Sequence, residues 1–352
     1  MMREPGTGRA AMIKCKASCY YAILSGEHPT IPRSELEAIL EVEADSYSIV
    51  RSFEGVVVFE AKLEEPEIVV ERAGWVKEIG RFLAITQADT EAIVEVIKDI
   101  NGVSKILFRR YKRYGENVDE HAIKEMRERK SIRSIQGKRV RVFVTEGITV
   151  IGIPIAELDT RSLYYRKPGK RPFFKPGPLS PQLTRAMINL SRLKRGGTFL
   201  DPFCGTGGFP LEACFIGASK CLCGDILRDM VEGSRLNLDH YGLADRALVV
   251  AHNASAQPFK DHSIDAISTD PPYGRSTTTK RKGYGEIIEF FLKEAERIAK
   301  PGTFIVYAGP LQFEPSKIAE DMGLIVVERH HMHVHSTLVR EIVVARLPGR
   351  GD

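Results

Sequence analysis

A carboxylate and three glycines stand close together between Asp201 and Gly208, after an apolar, strand-like segment and before a helical pattern. Glycines at such a turn let a ligand approach the backbone because no Cβ stands in the way. The free N–H groups that open the helix attract a carboxylate and Asp201 attracts an ammonium group, so the segment suits an amino acid. The alternative is a glycine-rich turn in which Asp201 only caps the helix.

A second acidic residue, Asp225, ends the next predicted strand, 24 residues after Asp201. An acidic side chain at about this distance accepts hydrogen bonds from two ribose hydroxyls. The glycine spacing differs from the Gly-x-Gly-x-x-Gly pattern of dinucleotide-binding loops. Asp201 and Asp225 are therefore candidate binding residues for an amino acid and for a ribose.

The second motif, Asp270-Pro271-Pro272-Tyr273-Gly274, closes the fourth predicted strand of the same half of the chain. Its two prolines fix φ and force a rigid, extended exit from the sheet. Asp270 and the Pro271 carbonyl can then point at one amine, and Tyr273 offers a flat face for a base. An ordinary proline-rich loop is the alternative, but parallel sheets bind ligands at the carboxyl ends of their strands.

These residues carry a family resemblance. The segment from Asp201 to Gly208 resembles the cofactor loop of class I S-adenosylmethionine methyltransferases, and Asp270–Tyr273 resembles the catalytic motif of those that methylate exocyclic amines. Residues 179–347 resemble the archaeal tRNA (guanine-10-N2) methyltransferase and dimethyltransferase family, with further similarity at Arg171–Gly177 and at Gly224-Asp225-Ile226. The upstream half fits that family's layout of a ferredoxin-like domain followed by a THUMP domain, and there the match is architectural.

The resemblance implies a cofactor, a substrate and site residues. The cofactor is S-adenosylmethionine, the partner is tRNA, and the methyl acceptor is the N2 amine of a guanine, most simply at position 10, with one or two methyl groups transferred. Family members often have Asp where this chain has Asn253, whose amide oxygen can still accept from the adenine amine. The expected catalytic residues are Asp270, Pro271, Pro272 and Tyr273. The expected cofactor-binding residues are Leu179, Ser180, Asp201, Pro202, Phe203, Cys204, Gly205, Thr206, Gly207, Gly208, Asp225, Ile226, Asn253 and Ala254.

The elements that must position these motifs alternate between strand and helix from about residue 179 onward. Such repeats predict an α/β fold, a Rossmann-like class I methyltransferase sheet of seven strands with helices on both faces. Its last two strands are joined too tightly for a parallel crossover, so they are expected to form an antiparallel hairpin. The predicted organisation is a flexible leader (1–12), a ferredoxin-like domain (13–87), a THUMP domain (88–155), a linker (156–177) and the methyltransferase domain (178–352).

The net charge of +5 hides an uneven distribution. Residues 109–141 contain 12 basic and 5 acidic side chains, residues 161–175 contain 6 basic and no acidic ones, and residues 275–282 contain 4 basic and no acidic ones. Two of these runs also contain aromatic residues, which is typical of nucleic-acid-binding surfaces. Solvated faces are the alternative for any single run. The candidate RNA-binding residues are Arg109, Arg110, Lys112, Arg113, Lys138, Arg139, Arg141, Arg275, Lys280, Arg281 and Lys282.

Other patterns predict no further chemistry. His331, His333 and His335 alternate along a strand, but no cysteine or carboxylate cluster joins them, so no metal is expected. Cys204, Cys214, Cys221 and Cys223 lie within apolar patterns and are expected to be buried free thiols. No apolar stretch approaches the length of a membrane span. We therefore expect a cytoplasmic protein, most simply a monomer.

Rival functions remain open at this stage. A methyltransferase of the same kind acting on guanine 6 of tRNA is one. An enzyme for adenine N6 or for a protein glutamine amide is another, although the basic upstream half favours tRNA. A catalytically silent RNA-binding protein is the rival from another class, and the presence of Asp201, Asp225 and Asp270 together speaks against it.

Overall fold

The computed structural model describes residues 18–112, 114–115, 118–129, 137–273 and 280–349. The predicted leader, residues 1–12, lies outside them. The chain forms two compact units. Counting described residues only, the first lies within residues 18–26, 44–70 and 76–158, and the second within residues 27–43, 71–75 and 159–349.

Seven strands of the first unit form one sheet: β1 (Cys19–Leu24), β2 (Tyr47–Phe53), β3 (Val56–Ala61), β4 (Val76–Gln87), β5 (Val103–Arg110), β6 (Lys138–Thr145) and β7 (Ile148–Glu157). Their order is β2-β3-β1-β4-β7-β6-β5, and only β5 and β6 run parallel. The helices of this part of the chain are α1 (Ile31–Glu43), α2 (Ile68–Arg72), α3 (Thr90–Lys98) and α4 (Glu120–Arg129). The order β1-α1-β2-β3-α2-β4 agrees with the predicted β-α-β-β-α-β arrangement.

The helices α3 and α4 bury one face of β5, β6 and β7. Ile93 and Ile97 of α3 pack with Ile123 of α4 and with Val140 and Val142 of β6. Because successive strand residues point to opposite faces, the odd-numbered residues of β6 face the other way. That other face carries Lys105 and Arg109 of β5 and Arg139 and Arg141 of β6.

The second unit contains the sheet expected of a class I methyltransferase. Its strands are β8 (Thr198–Asp201), β9 (Lys220–Asp225), β10 (Ala247–Ala251), β11 (Ala266–Thr269), β12 (Phe304–Pro310), β13 (Ile325–His335) and β14 (Leu338–Arg346). They lie in the order β10-β9-β8-β11-β12-β14-β13, and β14 is antiparallel to both of its neighbours. The predicted seven-stranded sheet with a final antiparallel hairpin is therefore confirmed.

Helices cover both faces of this second sheet: α5 (Thr160–Tyr165), α6 (Pro181–Leu190), α7 (Gly208–Phe215), α8 (Arg228–His240), α9 (Lys280–Ile298) and α10 (Pro315–Asp321). The two faces are separate cores, because Phe199 packs with residues of α6 and α7 whereas the next residue, Leu200, packs with residues of α9. The strands β9 and β10 lie on one side of β8, and the following strands β11 and β12 lie on its other side. The carboxyl ends of β8, β9 and β11 therefore surround the switch point, where open α/β sheets bind ligands.

The N-terminal helix α1 belongs to the second unit, although it lies between strands of the first. Glu35 is fully buried and accepts hydrogen bonds from the backbone N–H groups of Gly74 and Trp75, at 2.7 and 2.8 Å. The Asn189 Nδ2 of α6 donates to the same carboxylate at 3.0 Å. A buried carboxylate with three donors therefore ties α1 and residues 71–75 to α6.

We predict that Glu35→Ala lowers the free energy of unfolding by about 2–4 kcal/mol, because two buried N–H groups lose their acceptor. Glu35→Gln keeps one acceptor oxygen and should cost less. Urea denaturation measures both effects. Glu37→Ala, which removes a partly exposed i,i+4 ion pair from the same helix, is the matched control and should change stability little. Equal stabilities for the Glu35 and Glu37 variants would contradict the anchoring role.

Part of the basic run at residues 161–175 is structural. Arg166 donates to the fully buried Glu212 at 2.8 Å, and Arg185 donates to the other carboxylate oxygen at 2.7 Å. Arg171 is also buried. Some of the positive charge of residues 161–175 is therefore buried, and the rest is at the surface.

Three further observations concern the predicted features outside the site. Cys204, Cys214, Cys221 and Cys223 are buried free thiols, as predicted. Within the described ranges, no three His, Cys, Asp or Glu side chains are grouped to hold a metal ion. Of the helices the structure describes, none is long and apolar enough to cross a membrane.

Candidate active site

The glycine-rich loop joins β8 to α7 and is held by the end of β9. Gly205 and Gly207 have positive φ angles of 49° and 79°, a backbone region that favours glycine. The Gly205 N–H donates to Asp225 Oδ2 at 3.1 Å, and the Cys204 N–H donates to the Gly224 carbonyl at 2.8 Å. The loop conformation therefore depends on glycine at two positions and on the carboxylate of Asp225.

Asp201 is almost completely buried at the end of β8. Its Oδ1 accepts hydrogen bonds from the Thr269 hydroxyl at 2.6 Å and from the Phe203 N–H at 3.2 Å. Its Oδ2 is buried and has no hydrogen-bond partner among the described residues. Burial raises the pKa of Asp201 to about 7. A buried carboxylate oxygen without a donor is a binding position for a cationic group.

Two cavities open at the carboxyl ends of the strands. The smaller has a volume of about 190 Å³ and is lined by residues 175–179 and by much of the glycine-rich loop. The larger has a volume of about 570 Å³ and is lined by residues 225–227 and 252–255 and by Ile287 and Phe290 of α9. Both cavities share the side chains of Phe203, Met230 and Asp270. Asp270 therefore stands in the wall between them.

Most of the predicted cofactor-binding residues line one of these cavities. Ser180 and Gly207 are the exceptions: the Ser180 hydroxyl caps α6 by accepting from the Leu183 N–H at 3.3 Å, and Gly207 precedes α7 with no lining contact. The smaller cavity is lined by Leu179, Asp201, Phe203, Cys204, Gly205, Thr206 and Gly208. The larger cavity is lined by Pro202, Phe203, Asp225, Ile226, Asn253 and Ala254.

The larger cavity has one strongly apolar side. Ile226 is 68% exposed and Phe290 is 56% exposed, so two large apolar side chains meet the solvent within one cavity. Sequence reasoning did not single out Phe290 or Ile287, because both occur within an ordinary helical pattern. Asn253 Oδ1 already accepts from the Ser255 N–H at 3.0 Å within its own turn.

Asp270 is held by two side chains. Its Oδ1 accepts a hydrogen bond from the Tyr273 hydroxyl, and its Oδ2 lies 3.7 Å from Arg340 Nη2. Arg340 Nε also donates to the Tyr273 hydroxyl oxygen at 2.8 Å. Burial raises the pKa of Asp270, and the Arg340 cation opposes that rise. Of the other two predicted catalytic residues, Pro272 lines the larger cavity and Pro271 is buried.

Arg340 is the functional candidate that sequence reasoning missed. It lies on β14, 67 residues beyond Tyr273, and is buried. The available signal was a charged pair, Arg340 and Glu341, inside an otherwise apolar strand. Burying a cation is costly unless it is paired, so such a residue demands a partner elsewhere in the fold. Nothing in the local sequence names that partner.

The predicted RNA-binding residues of the first unit divide into exposed and engaged ones. Arg109, Lys138 and Arg139 are exposed. Arg110 donates to the Val118 carbonyl, Lys112 pairs with Glu54 at 2.7 Å, and Arg141 forms a largely buried ion pair with Glu78. Lys105, which sequence reasoning did not select, is exposed on β5 directly opposite Arg139 of β6.

The remaining predicted RNA-binding residues lie wholly or partly outside the described residues. Arg113 and Arg275 lie outside the described residues. Lys280, Arg281 and Lys282 form the first turn of α9, which begins seven residues earlier than the predicted helix at Ile287, and their side chains lie outside the described part of the chain.

Comparisons with known proteins also indicate a methyltransferase. Residues 168–342 match the family model described as RMKL-like, methyltransferase domain. The tRNA (guanine(10)-N2)-dimethyltransferase of Methanothermobacter thermautotrophicus is 31% identical over 92% of this chain and 97% of that protein. The protein of the same name from Methanocaldococcus jannaschii is 30% identical over 92% of this chain and 98% of that protein. Among solved structures, TrmN from Thermus thermophilus aligns with a TM-score of 0.55 over 94% of this chain and 99% of that chain, at 17% identity, which is evidence of shared fold.

Proposed function

Because the chain belongs to the tRNA (guanine(10)-N2)-dimethyltransferase family, we propose that it transfers methyl groups from S-adenosylmethionine to the N2 amine of guanine 10 in tRNA. Transfer of a second methyl group to the same nitrogen is part of the proposal. The observation that carries it is the position of Asp270 in the wall between two cavities, one of which contains the unpartnered Asp201 oxygen.

The residues present fit S-adenosylmethionine. The unpartnered Oδ2 of Asp201 suits its ammonium group. The N–H groups of Thr206 and Gly208, which donate to no described residue, suit its carboxylate. Asp225 suits the ribose hydroxyls, since a carboxylate oxygen that accepts one N–H retains a second lone pair. Exposed Ile226, with Asn253 and Ala254, suits the adenine. When bound, the cofactor supplies a methyl group activated on a sulfonium.

The task of the protein is then to orient a weak nucleophile. The lone pair of the guanine N2 is delocalised into the ring, so the free amine attacks poorly. Asp270 and the Pro271 carbonyl accept hydrogen bonds from the two N–H groups of the amine. These bonds turn the lone pair of the nitrogen toward the methyl group. The Asp270 carboxylate also stabilises the positive charge that grows on the nitrogen, and it accepts the proton that the nitrogen releases after the methyl transfer. Tyr273 packs against the base, which must leave its helix or lie in a loop to reach the site.

One experiment decides between this function and its rivals. Unmodified tRNA is incubated with the protein and labelled S-adenosylmethionine, and the modified nucleoside is mapped by mass spectrometry. N2-methylguanosine and N2,N2-dimethylguanosine at position 10 are expected. The same products at position 6 would favour the alternative target. Thermal stabilisation by S-adenosylmethionine without any methylated RNA would refute guanine methylation of tRNA.

The first unit is proposed to bind the tRNA through its phosphates. Lys105 and Arg139 face each other across β5 and β6, and like charges in that position destabilise a sheet. Arg109 lies on the same face of β5 as Lys105, and the structure describes no ion pair for any of the three. A polyanion relieves this repulsion. In the second unit, an exposed group combines Tyr164 with Lys167 and Lys170, whose Nζ atoms lie 5.2 and 5.5 Å from the ring centre of Tyr164.

We predict that Lys105→Ala combined with Arg139→Ala weakens tRNA binding about tenfold or more near physiological salt. Each lost phosphate contact should also reduce the slope of log affinity against log salt by about one. Fluorescence titration with tRNA at several salt concentrations measures both quantities. Lys62→Ala is the matched control, because Lys62 is an exposed lysine of the first unit that pairs with Asp45. A salt slope unchanged in the double variant would count against this surface.

A further inference from the structure

The carboxylate proposed to bind the amine already has a partner. Asp270 Oδ1 accepts the hydrogen of the Tyr273 hydroxyl. A second lone pair of that oxygen stays open to an incoming N–H group, so the Tyr273 hydrogen bond helps to set the direction in which the carboxylate points. Whatever holds Tyr273 therefore also holds Asp270.

Arg340 contacts both members of this pair without lining either cavity. Its Nε donates to the Tyr273 hydroxyl oxygen at 2.8 Å, and its Nη2 lies 3.7 Å from Asp270 Oδ2. Its guanidinium carbon is 5.7 Å from the centre of the Tyr273 ring. The side chain is only 10% exposed, so it has little freedom to point elsewhere.

The strand around Arg340 explains why the arginine stays in place. Arg340 pairs in register with Pro310 of β12 and with Met332 of β13, so β14 is fixed on both sides. Among the described residues, Asp270 and Tyr273 are the polar side chains that its guanidinium contacts. A buried cation with two partners in the loop after β11 connects that loop to β14, the strand beside the sheet's edge strand β13.

We propose that Arg340 is a positioning residue that holds the Tyr273 hydroxyl and the Asp270 carboxylate in place while the target amine binds. Its Nε fixes the hydroxyl that donates to Asp270 Oδ1, and the second lone pair of that oxygen accepts from the amine. Asp270 Oδ2 stays beside a fixed cation. Arg340 acts through these two residues and does not touch the base. The inference rests on the proposed role of Asp270.

A consequence for pH follows from the charges around Asp270. The groups that face it are Tyr273 from its own loop, Arg340 from β14, Asp201 from β8 and Tyr284 from α9. Burial raises the pKa of Asp270, and Arg340 is the cation that lowers it. Removal of Arg340 should therefore raise the pKa further, so that activity is lost at a higher pH as the solution is acidified.

The test compares Arg340→Gln, Arg340→Lys and the control Arg329→Gln, which changes an exposed arginine of the neighbouring strand. We expect Arg340→Gln to lower kcat for tRNA methylation about 10- to 100-fold with little change in S-adenosylmethionine affinity. The acidic limb of its pH–kcat profile should move up by about one unit. Arg340→Lys restores the charge and should return the limb toward its original position. Thermal melting identifies any variant that fails to fold.

Tyr273→Phe supplies the second measurement. Without the hydroxyl, Arg340 has one of its two contacts left, so Arg340→Gln should cost less in the Tyr273→Phe background than in the unaltered protein. If Arg340→Gln lowers kcat equally in both backgrounds and leaves the acidic limb of the pH–kcat profile unmoved, Arg340 has only a structural role. If Asp270→Ala itself retains full turnover, the proposed function fails and this inference with it. If Asp270→Ala is inactive but Arg340→Gln behaves like Arg329→Gln, the role of Arg340 alone is wrong.

Discussion

Asp270→Ala is expected to lower the rate of methyl transfer to tRNA by about 100- to 1000-fold or more. In the proposed mechanism the Asp270 carboxylate accepts an N–H of the amine and stabilises the charge that develops on its nitrogen. Alanine provides neither interaction. Single-turnover measurement with labelled S-adenosylmethionine separates this loss from effects on product release.

Asp270→Asn divides the two contributions. Its amide oxygen still accepts a hydrogen bond, but it carries no charge. A rate between those of Asp270→Ala and the unaltered protein is expected. A rate as low as that of the alanine variant would assign the effect to charge.

Two controls accompany these variants. Asp245→Ala removes an exposed carboxylate from the turn before β10 and should leave turnover unchanged. The S-adenosylmethionine affinity of Asp270→Ala, measured by calorimetry, should remain close to that of the unaltered protein. Turnover near the original rate in Asp270→Ala contradicts the catalytic assignment, whatever the affinity.

Asp201→Ala is expected to weaken S-adenosylmethionine binding about 100-fold or more, because the ammonium group of the cofactor loses a buried carboxylate partner. Asp201→Asn preserves the acceptor for the Thr269 hydroxyl and the Phe203 N–H. It should therefore fold like the unaltered protein and still bind weakly. Calorimetric titration with S-adenosylmethionine gives both dissociation constants, with Asp245→Asn as the matched control.

The pH dependence of cofactor binding gives a sharper test of Asp201. Its pKa is raised to about 7 by burial, so the carboxyl carries a proton in much of the population below pH 7. Binding of a cation requires the charged form, and the proton must then be released at a cost in free energy. The dissociation constant should therefore rise on acidification from pH 8 to pH 6, approaching a tenfold change per pH unit at the acidic end. A flat profile in the unaltered protein, equal to that of Asp201→Asn, would rule this role out.

The placement of most candidate site residues around the two cavities followed from the sequence because each motif is local. Asp201 and the glycines that follow it occupy one turn between a strand and a helix, and Asp270 to Tyr273 occupy one loop. In a parallel sheet such loops all meet at the carboxyl edge, so the alternation of strands and helices was enough to bring these residues together. The same reasoning predicted the antiparallel β13–β14 hairpin, since its connection is too short for a crossover.

Partners distant in the chain could not be predicted in this way. From the sequence, Arg141 and Lys112 are predicted to be available to RNA. In the structure Arg141 pairs with Glu78, 63 residues away, and Lys112 pairs with Glu54, 58 residues away. A basic run shows that positive charge is present, but the sequence does not say which acidic residue will neutralise it. The RNA-binding role of this run therefore stays a prediction, and Lys105, Arg109 and Arg139 are its best-placed members.

What the sequence determined by itself is the set of elements and the residues at their ends: the seven-stranded sheet with its final antiparallel hairpin, the glycine-rich loop after β8 and the Asp270–Tyr273 loop after β11. Only the tertiary structure decided that α1 packs with the second unit through Glu35, and that Arg340 meets Asp270 and Tyr273. Hydrophobic periodicity shows which side of a helix or strand is buried but not against which element. The packing of the whole chain decides which residue pairs with a buried charge, because an unpaired charge is costly only once folding has buried it.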